Sequence, residues 1–209
     1  AYAKDGLADN ALNEYRNLHE LESSSANVVR LASAYDAAGK GGDGITTLET
    51  WLASNPESVT VRAALGLLLM RAGNLLAAIE AYETVVRAEP GHVVANNNLA
   101  VLYDQTGDDR AVLQARRALA LSPTSAATLD TAGWILSRNG ETEEGLGYLR
   151  EAYARNGNVP SIKYHLAQVL TGRGETSEAK QLLRDALEDT EFESRSDAEK
   201  LLGSLTGTQ

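Results

Sequence analysis

Apolar and polar positions along this chain follow a helical rhythm, and the rhythmic stretches are short and separated by glycine. Between Thr60 and Pro90, Leu65 and Gly66 fall on one predicted helix. Gly73 and Asn74 make a turn, and Ala78, Tyr82, Val85 and Val86 form one stripe of a second helix. That stripe must face a partner helix. Gly66 and Ala78 are expected where the two helices cross, and a larger side chain at either would cost about 1–3 kcal/mol by overpacking. The same wording then returns. Leu31, Leu65, Leu99, Ala132 and Leu166 stand at intervals of 34, 34, 33 and 34 residues, each followed by a small residue. A turn glycine comes shortly after each, at Gly39, Gly73, Gly107, Gly140 and Gly174. Pro56, Pro90 and Pro123 follow second helices, because proline cannot continue a helix but can start the next segment.

The repetition predicts five complete helix-turn-helix units, at 25–56, 59–90, 93–123, 126–157 and 160–190, in one array over 1–209. The third unit has an inter-helix turn one residue shorter, read from Gly107 to Ala111. Tyr2, Gly6, Ala11, Tyr15 and Leu18 fit the second half of a further unit, a partial repeat over 1–22. A last helix at 194–205 carries Ala198, Leu201, Leu202 and Leu205, a stripe expected to cover the apolar face of the final unit.

A period of 34 with this internal spelling resembles the tetratricopeptide repeat, and the resemblance covers essentially the whole chain. It implies an all-α fold, a right-handed superhelical α-solenoid of stacked helix-turn-helix units, with a concave wall made by the first helices. The later repeats resemble a narrower bacterial group, the repeat lipoproteins found with exosortase and exopolysaccharide systems. The wording that carries this is Asn97-Asn98-Leu99-Ala100, Gly107-Asp108-Asp109-Arg110-Ala111, Leu129-Asp130-Thr131-Ala132-Gly133-Trp134-Ile135-Leu136 and Tyr164-His165-Leu166-Ala167. Ala132 stands where that group usually has Leu, and the Cys that would be lipidated is missing. The narrower resemblance implies a periplasmic or envelope location, with the cytoplasm left open.

Charge and composition then narrow the chemistry. With 29 acidic and 19 basic residues the net charge is −10, which argues against nucleic acid, since phosphate binding needs a basic footprint. Cysteine is absent, so there is no disulfide framework, thiol nucleophile or thiolate metal site. No stretch approaches the roughly 18 apolar residues of a membrane span.

Gly39-Lys40-Gly41-Gly42-Asp43-Gly44 has the composition of a phosphate loop, but its Lys precedes the glycines and lies between two helices, so it reads as a turn. Asp104, Asp108 and Asp109 lack the alternating ligands and closing Glu of a calcium loop. His19, His92 and His165 fall in different repeats, without metal spacing or a neighbouring nucleophile. No catalytic, cofactor or metal residue is nominated, and the chain is expected not to be an enzyme.

The remaining candidate is the wall of first helices. Counting from the repeated Leu, its residues are expected to include Arg30, Ser33, Leu67, Met70, Arg71, Asn97, Asn98, Val101 and Gln105, then Asp130, Thr131, Trp134, Arg138, Tyr164, His165 and Gln168. Asn97 and Asn98 can donate and accept together, which suits the backbone of an extended peptide. Trp134 and Tyr164 offer aromatic area of the kind enriched at binding hot spots, or else fill between adjacent helices. The scattered arginines are too few for a clamp on an acidic C-terminal peptide. The expected function is a non-enzymatic scaffold holding a protein or peptide partner. The alternatives are a structural spacer or self-association module of a larger secretion or export protein and, more weakly, a carbohydrate groove using Trp134 and Tyr164.

Overall fold

The computed structural model describes residues 2–207, with side chains and burial from Ala11 onward; the burial of Tyr2 and Gly6, assigned above to a partial repeat, lies outside the described set. Among the described residues there are twelve α-helices and no strand. They are α1 (Tyr2–Leu21), α2 (Ser25–Ala37), α3 (Gly41–Ser54), α4 (Val59–Arg71), α5 (Leu75–Ala88) and α6 (Val93–Thr106). These are followed by α7 (Ala111–Leu121), α8 (Ala126–Arg138), α9 (Thr142–Asn156), α10 (Pro160–Gly172), α11 (Thr176–Leu187) and α12 (Arg195–Thr206). The chain divides into two compact units, Ala1–Leu102 and Tyr103–Gln209, with the division inside α6.

Each hairpin turn is closed in the same way. Gly39, Gly73, Gly107, Gly140 and Gly174 all have positive φ, between 70° and 91°. The N–H of the following residue reaches back five positions, as in Lys40 to Tyr35, Asn74 to Leu69, Asp108 to Tyr103, Glu141 to Leu136 and Glu175 to Leu170, at 2.8–3.0 Å. This is the Schellman arrangement, which satisfies helix-end carbonyls and needs a left-handed residue that only glycine adopts without strain. Helix starts are set by local chemistry too. The Ser24 hydroxyl accepts from the Asn27 N–H ahead of α2, His92 Nδ1 accepts from the Ala95 N–H ahead of α6, and Pro160 opens α10.

In the first unit, α2 packs on α3, α3 on α4 and α4 on α5, while α2 also meets α4. Val28, Leu31, Leu48, Val61, Leu65, Tyr82 and Val85 form its buried interior. Gly66 provides the seat for Tyr82, since a Cβ added there would lie 3.0 Å from the phenol ring. In the second unit, α7 packs on α8, α8 on α9, α9 on α10, α10 on α11 and α11 on α12, while α8 also meets α10. Leu149, Leu166, Leu170, Leu183 and Ala198 belong to one buried cluster there, with Leu201, Leu202 and Leu205 of α12 packed against it. Gly133 of α8 and Gly145 of α9 bring two backbones together: a Cβ on Gly133 would sit 2.7 Å from the Gly145 carbonyl oxygen.

Candidate functional site

The first helices of each unit present a face whose side chains are shared between holding the repeats together and facing outward. In the first unit, Arg71 of α4 is ion-paired with Asp36 of α2, one repeat earlier. Arg30 is exposed and its guanidinium donates to Asn27 Oδ1 at 3.3 Å, Met70 is half-buried, and Leu67 is exposed. On α6, Asn98 Nδ2 donates to the Tyr82 hydroxyl at 2.8 Å, so this asparagine satisfies a buried phenol. Burial raises the Tyr82 pKa, and the Asn98 bond opposes that shift. Neighbouring Asn97 has a buried Oδ1 with no hydrogen-bond partner, and Val101 is half-buried.

The second unit gathers more of the expected residues. Trp134 of α8 and His165 of α10 are stacked at 4.8 Å between centroids with 15° between planes. The Arg138 guanidinium lies 5.4 Å from the Trp134 ring centre and binds Asp104 Oδ2 at 2.5 Å. His165 Nδ1 meets both Asp130 oxygens, at 2.9 and 3.0 Å. A carboxylate can only accept, so Nδ1 carries the hydrogen in this contact. Asp130 and Thr131 are themselves buried, at 8% and 9% exposure.

Tyr164 lies elsewhere. It is 9% exposed, belongs to the apolar cluster with α12, and meets Phe192 edge-to-face at 5.8 Å. Burial raises its pKa, as expected for a phenol inside a core. Tyr164 is thereby enclosed, while Trp134 has one ring face against His165 and remains half-buried at the cleft.

A cleft of about 390 Å³ opens between α8 and α10, lined by Trp134, Ser137, Arg138, Thr142, Gln168, Val169, Gly172 and Arg173. Gln168 Oε1 is shut off from solvent and has no hydrogen-bond partner. Arg173, not singled out from sequence, binds Glu175 at 2.8 Å and is also paired with Glu143. Its place directly before the turn glycine Gly174 was the available signal. A second cleft, of about 460 Å³, lies in the first unit between His19, Thr47, Thr50 and Trp51, where His19 Nδ1 and Trp51 Nε1 are buried without partners.

The second helices are tied by a repeated device. The Arg116 guanidinium binds Glu144 at 2.7–2.8 Å and Glu141 at 2.5 Å; Arg150 binds Glu178 at 3.1–3.2 Å and Glu175 at 3.4 Å. Hydrogen bonding from Arg116 holds the Glu144 carboxyl at about 2, well below its ordinary value. Asp108, in the shortened turn, is likewise held at about 2, by the side chain and N–H of Arg110. Among the described residues, no group of three or more His, Cys, Asp or Glu is placed to hold a metal, and no helix is long and apolar enough to cross a membrane.

Helix pairs joined by left-handed glycines, and first helices that touch those of the next repeat, define a helical-repeat protein. Family models of the tetratricopeptide repeat match residues 29–92, 63–126 and 136–205, and the chain belongs to that family. None of the curated proteins matches the chain. Among solved structures, it is similar to TTC0263, a thermophilic TPR protein of Thermus thermophilus, at 22% identity and a TM-score of 0.71. That match covers 88% of this chain and 99% of that one. It is also similar to YrrB, a TPR protein with an unusual peptide-binding site, at 13% identity and a TM-score of 0.61, covering 89% and 97%. The likeness to the Cut9–Hcn1 hetero-tetramer of the APC/C reaches a TM-score of 0.81 at 17% identity, over 96% of this chain and 40% of that one. Proteins of the tetratricopeptide family are generally non-enzymatic scaffolds for protein partners.

Proposed function

We propose that this chain holds a partner polypeptide along the first-helix face of its repeats, and that it does so in bacterial envelope or exopolysaccharide assembly. The observation that carries the first part is the α8–α10 cleft. It combines an indole edge, an apolar wall at Val169 and an unpaired buried amide oxygen at Gln168, the mixture of apolar area and unmet hydrogen bonding that a polypeptide satisfies. The fold shared with YrrB, which has a peptide-binding site, supports the same reading. The envelope setting rests on the wording shared with exosortase-associated repeat lipoproteins, such as Leu129-Asp130-Thr131-Ala132-Gly133-Trp134.

A second reading, self-association or spacing within a larger export protein, draws on exposed apolar side chains of second helices, Leu76 at 79% and Leu113 at 56% exposure. A photo-crosslinking residue at position 168 or, on the outer α11, at exposed position 181 separates the two readings. Partner adducts from position 168 and none from 181 are expected in the source cell. Adducts from 181 alone, or self-adducts alone, would overturn the proposal.

A further inference from the structure

Resting on the binding face just proposed, we infer that the α8–α10 cleft selects a basic partner segment and receives a lysine or arginine side chain from it. The cleft is lined by two guanidiniums, and neither is free. Arg138 is held by Asp104, and Arg173 by both Glu143 and Glu175. Three carboxylates therefore act on two cations, and a fourth, Asp130, is next to the cleft on His165. An incoming carboxylate would have to break one of these pairs and would meet the surplus negative charge. An incoming cation meets Glu143 outside the lining itself, beside Arg173, where its side chain is 80% exposed and has room for another partner.

The uncharged groups point the same way. Gln168 Oε1 needs a donor, and lysine and arginine supply only donors. Trp134 and Val169 give the methylenes of such a side chain an apolar wall, so its charged end, the part that carries the donors, is the part directed at Gln168. On the first-helix face of the first unit, Arg71 is likewise taken by Asp36, and Asn97 Oδ1 is unmet. The net charge of −10 extends this preference to long range, favouring approach of a basic segment.

Selection of random heptapeptides displayed on phage against the intact chain tests this, followed by fluorescence anisotropy of the enriched peptide with Glu143→Lys and Gln168→Leu. Lys- or Arg-bearing peptides are expected, binding about three- to tenfold more weakly to Glu143→Lys and losing affinity as salt rises. Gln168→Leu should weaken binding without changing its salt dependence. An acidic or neutral consensus whose binding still depends on Gln168 would overturn the charge selection and leave the binding face standing. Failure to enrich any peptide, or enrichment insensitive to both variants, would overturn both. Glu143 is at the surface and Gln168 is half-buried, so circular dichroism of each variant verifies that the helices are intact.

Discussion

Gly133→Ala puts a single methyl group into the close backbone approach of α8 and α9, and its cost can be worked from the geometry. The new Cβ would lie 2.7 Å from the Gly145 carbonyl oxygen, 2.8 Å from Leu149 Cγ and 2.9 Å from Leu149 N. Two of those three atoms are backbone of α9, so rotating Leu149 away removes only one clash. The helices must separate by several tenths of an ångström, which costs about 1–3 kcal/mol as overpacking. Against this, alanine gains about 0.5–1 kcal/mol over glycine within a helix. The net expectation is a loss of about 1–2 kcal/mol, or a fall in Tm of roughly 2–8 °C for a chain of this size. Gly147→Ala is the control, because it lies on the opposing helix α9 and its Cβ meets nothing within 4 Å. It should gain about 0.5–1 kcal/mol. Urea unfolding followed by circular dichroism and by indole fluorescence would measure both, since Trp134 lies on α8. If Gly133→Ala is neutral or stabilising while Gly147→Ala gains stability, close approach of α8 and α9 is not what glycine serves at 133.

Two further outcomes follow from hydrogen bonding and charge. Asn98→Ala leaves the hydroxyl of buried Tyr82 without its partner and should cost about 1–3 kcal/mol in urea unfolding; Tyr82→Phe in that background should recover part of the loss, and no recovery would mean the bond is not the cause. Glu144 is held at about 2 in the folded chain against an ordinary 4.5, so the stabilisation it provides is complete above that ordinary value and is lost as pH falls through about 2. Urea midpoints taken from about pH 5 down to about pH 2 should therefore drop less steeply for Glu144→Gln than for the parent chain, and parallel profiles would count against the Arg116 pairing.

The hairpins were legible because their requirements are local and severe. A left-handed turn demands glycine at Gly73 or Gly174, and a close crossing demands a small residue at Gly66 or Gly133, so both leave marks at a fixed period. The wall was legible only in part. Counting from the repeated Leu shows which way a residue projects, but not whether a neighbour one repeat away has already claimed it. Trp134, Arg138, His165 and Gln168 are brought together across two helices. Asn98 is instead tied to Tyr82, and Tyr164 is enclosed with Phe192, a residue in the segment before α12 whose packing no periodicity announced. Arg173 went unmarked because its importance comes from Glu143 and Glu175, which lie on other helices or beyond the turn.

The arginine–glutamate ties between second helices bear on how such a chain can grow. Arg116 and Arg150 stand 34 residues apart, as do Glu141 and Glu175, and Glu144 and Glu178. The plug on one segment and the socket on the next are thus interchangeable copies. A tandem duplication of residues 142–175 would insert one more link with every guanidinium still opposite two carboxylates, so lengthening by whole segments creates no electrostatic mismatch, whereas insertion of a partial segment would leave charges stranded.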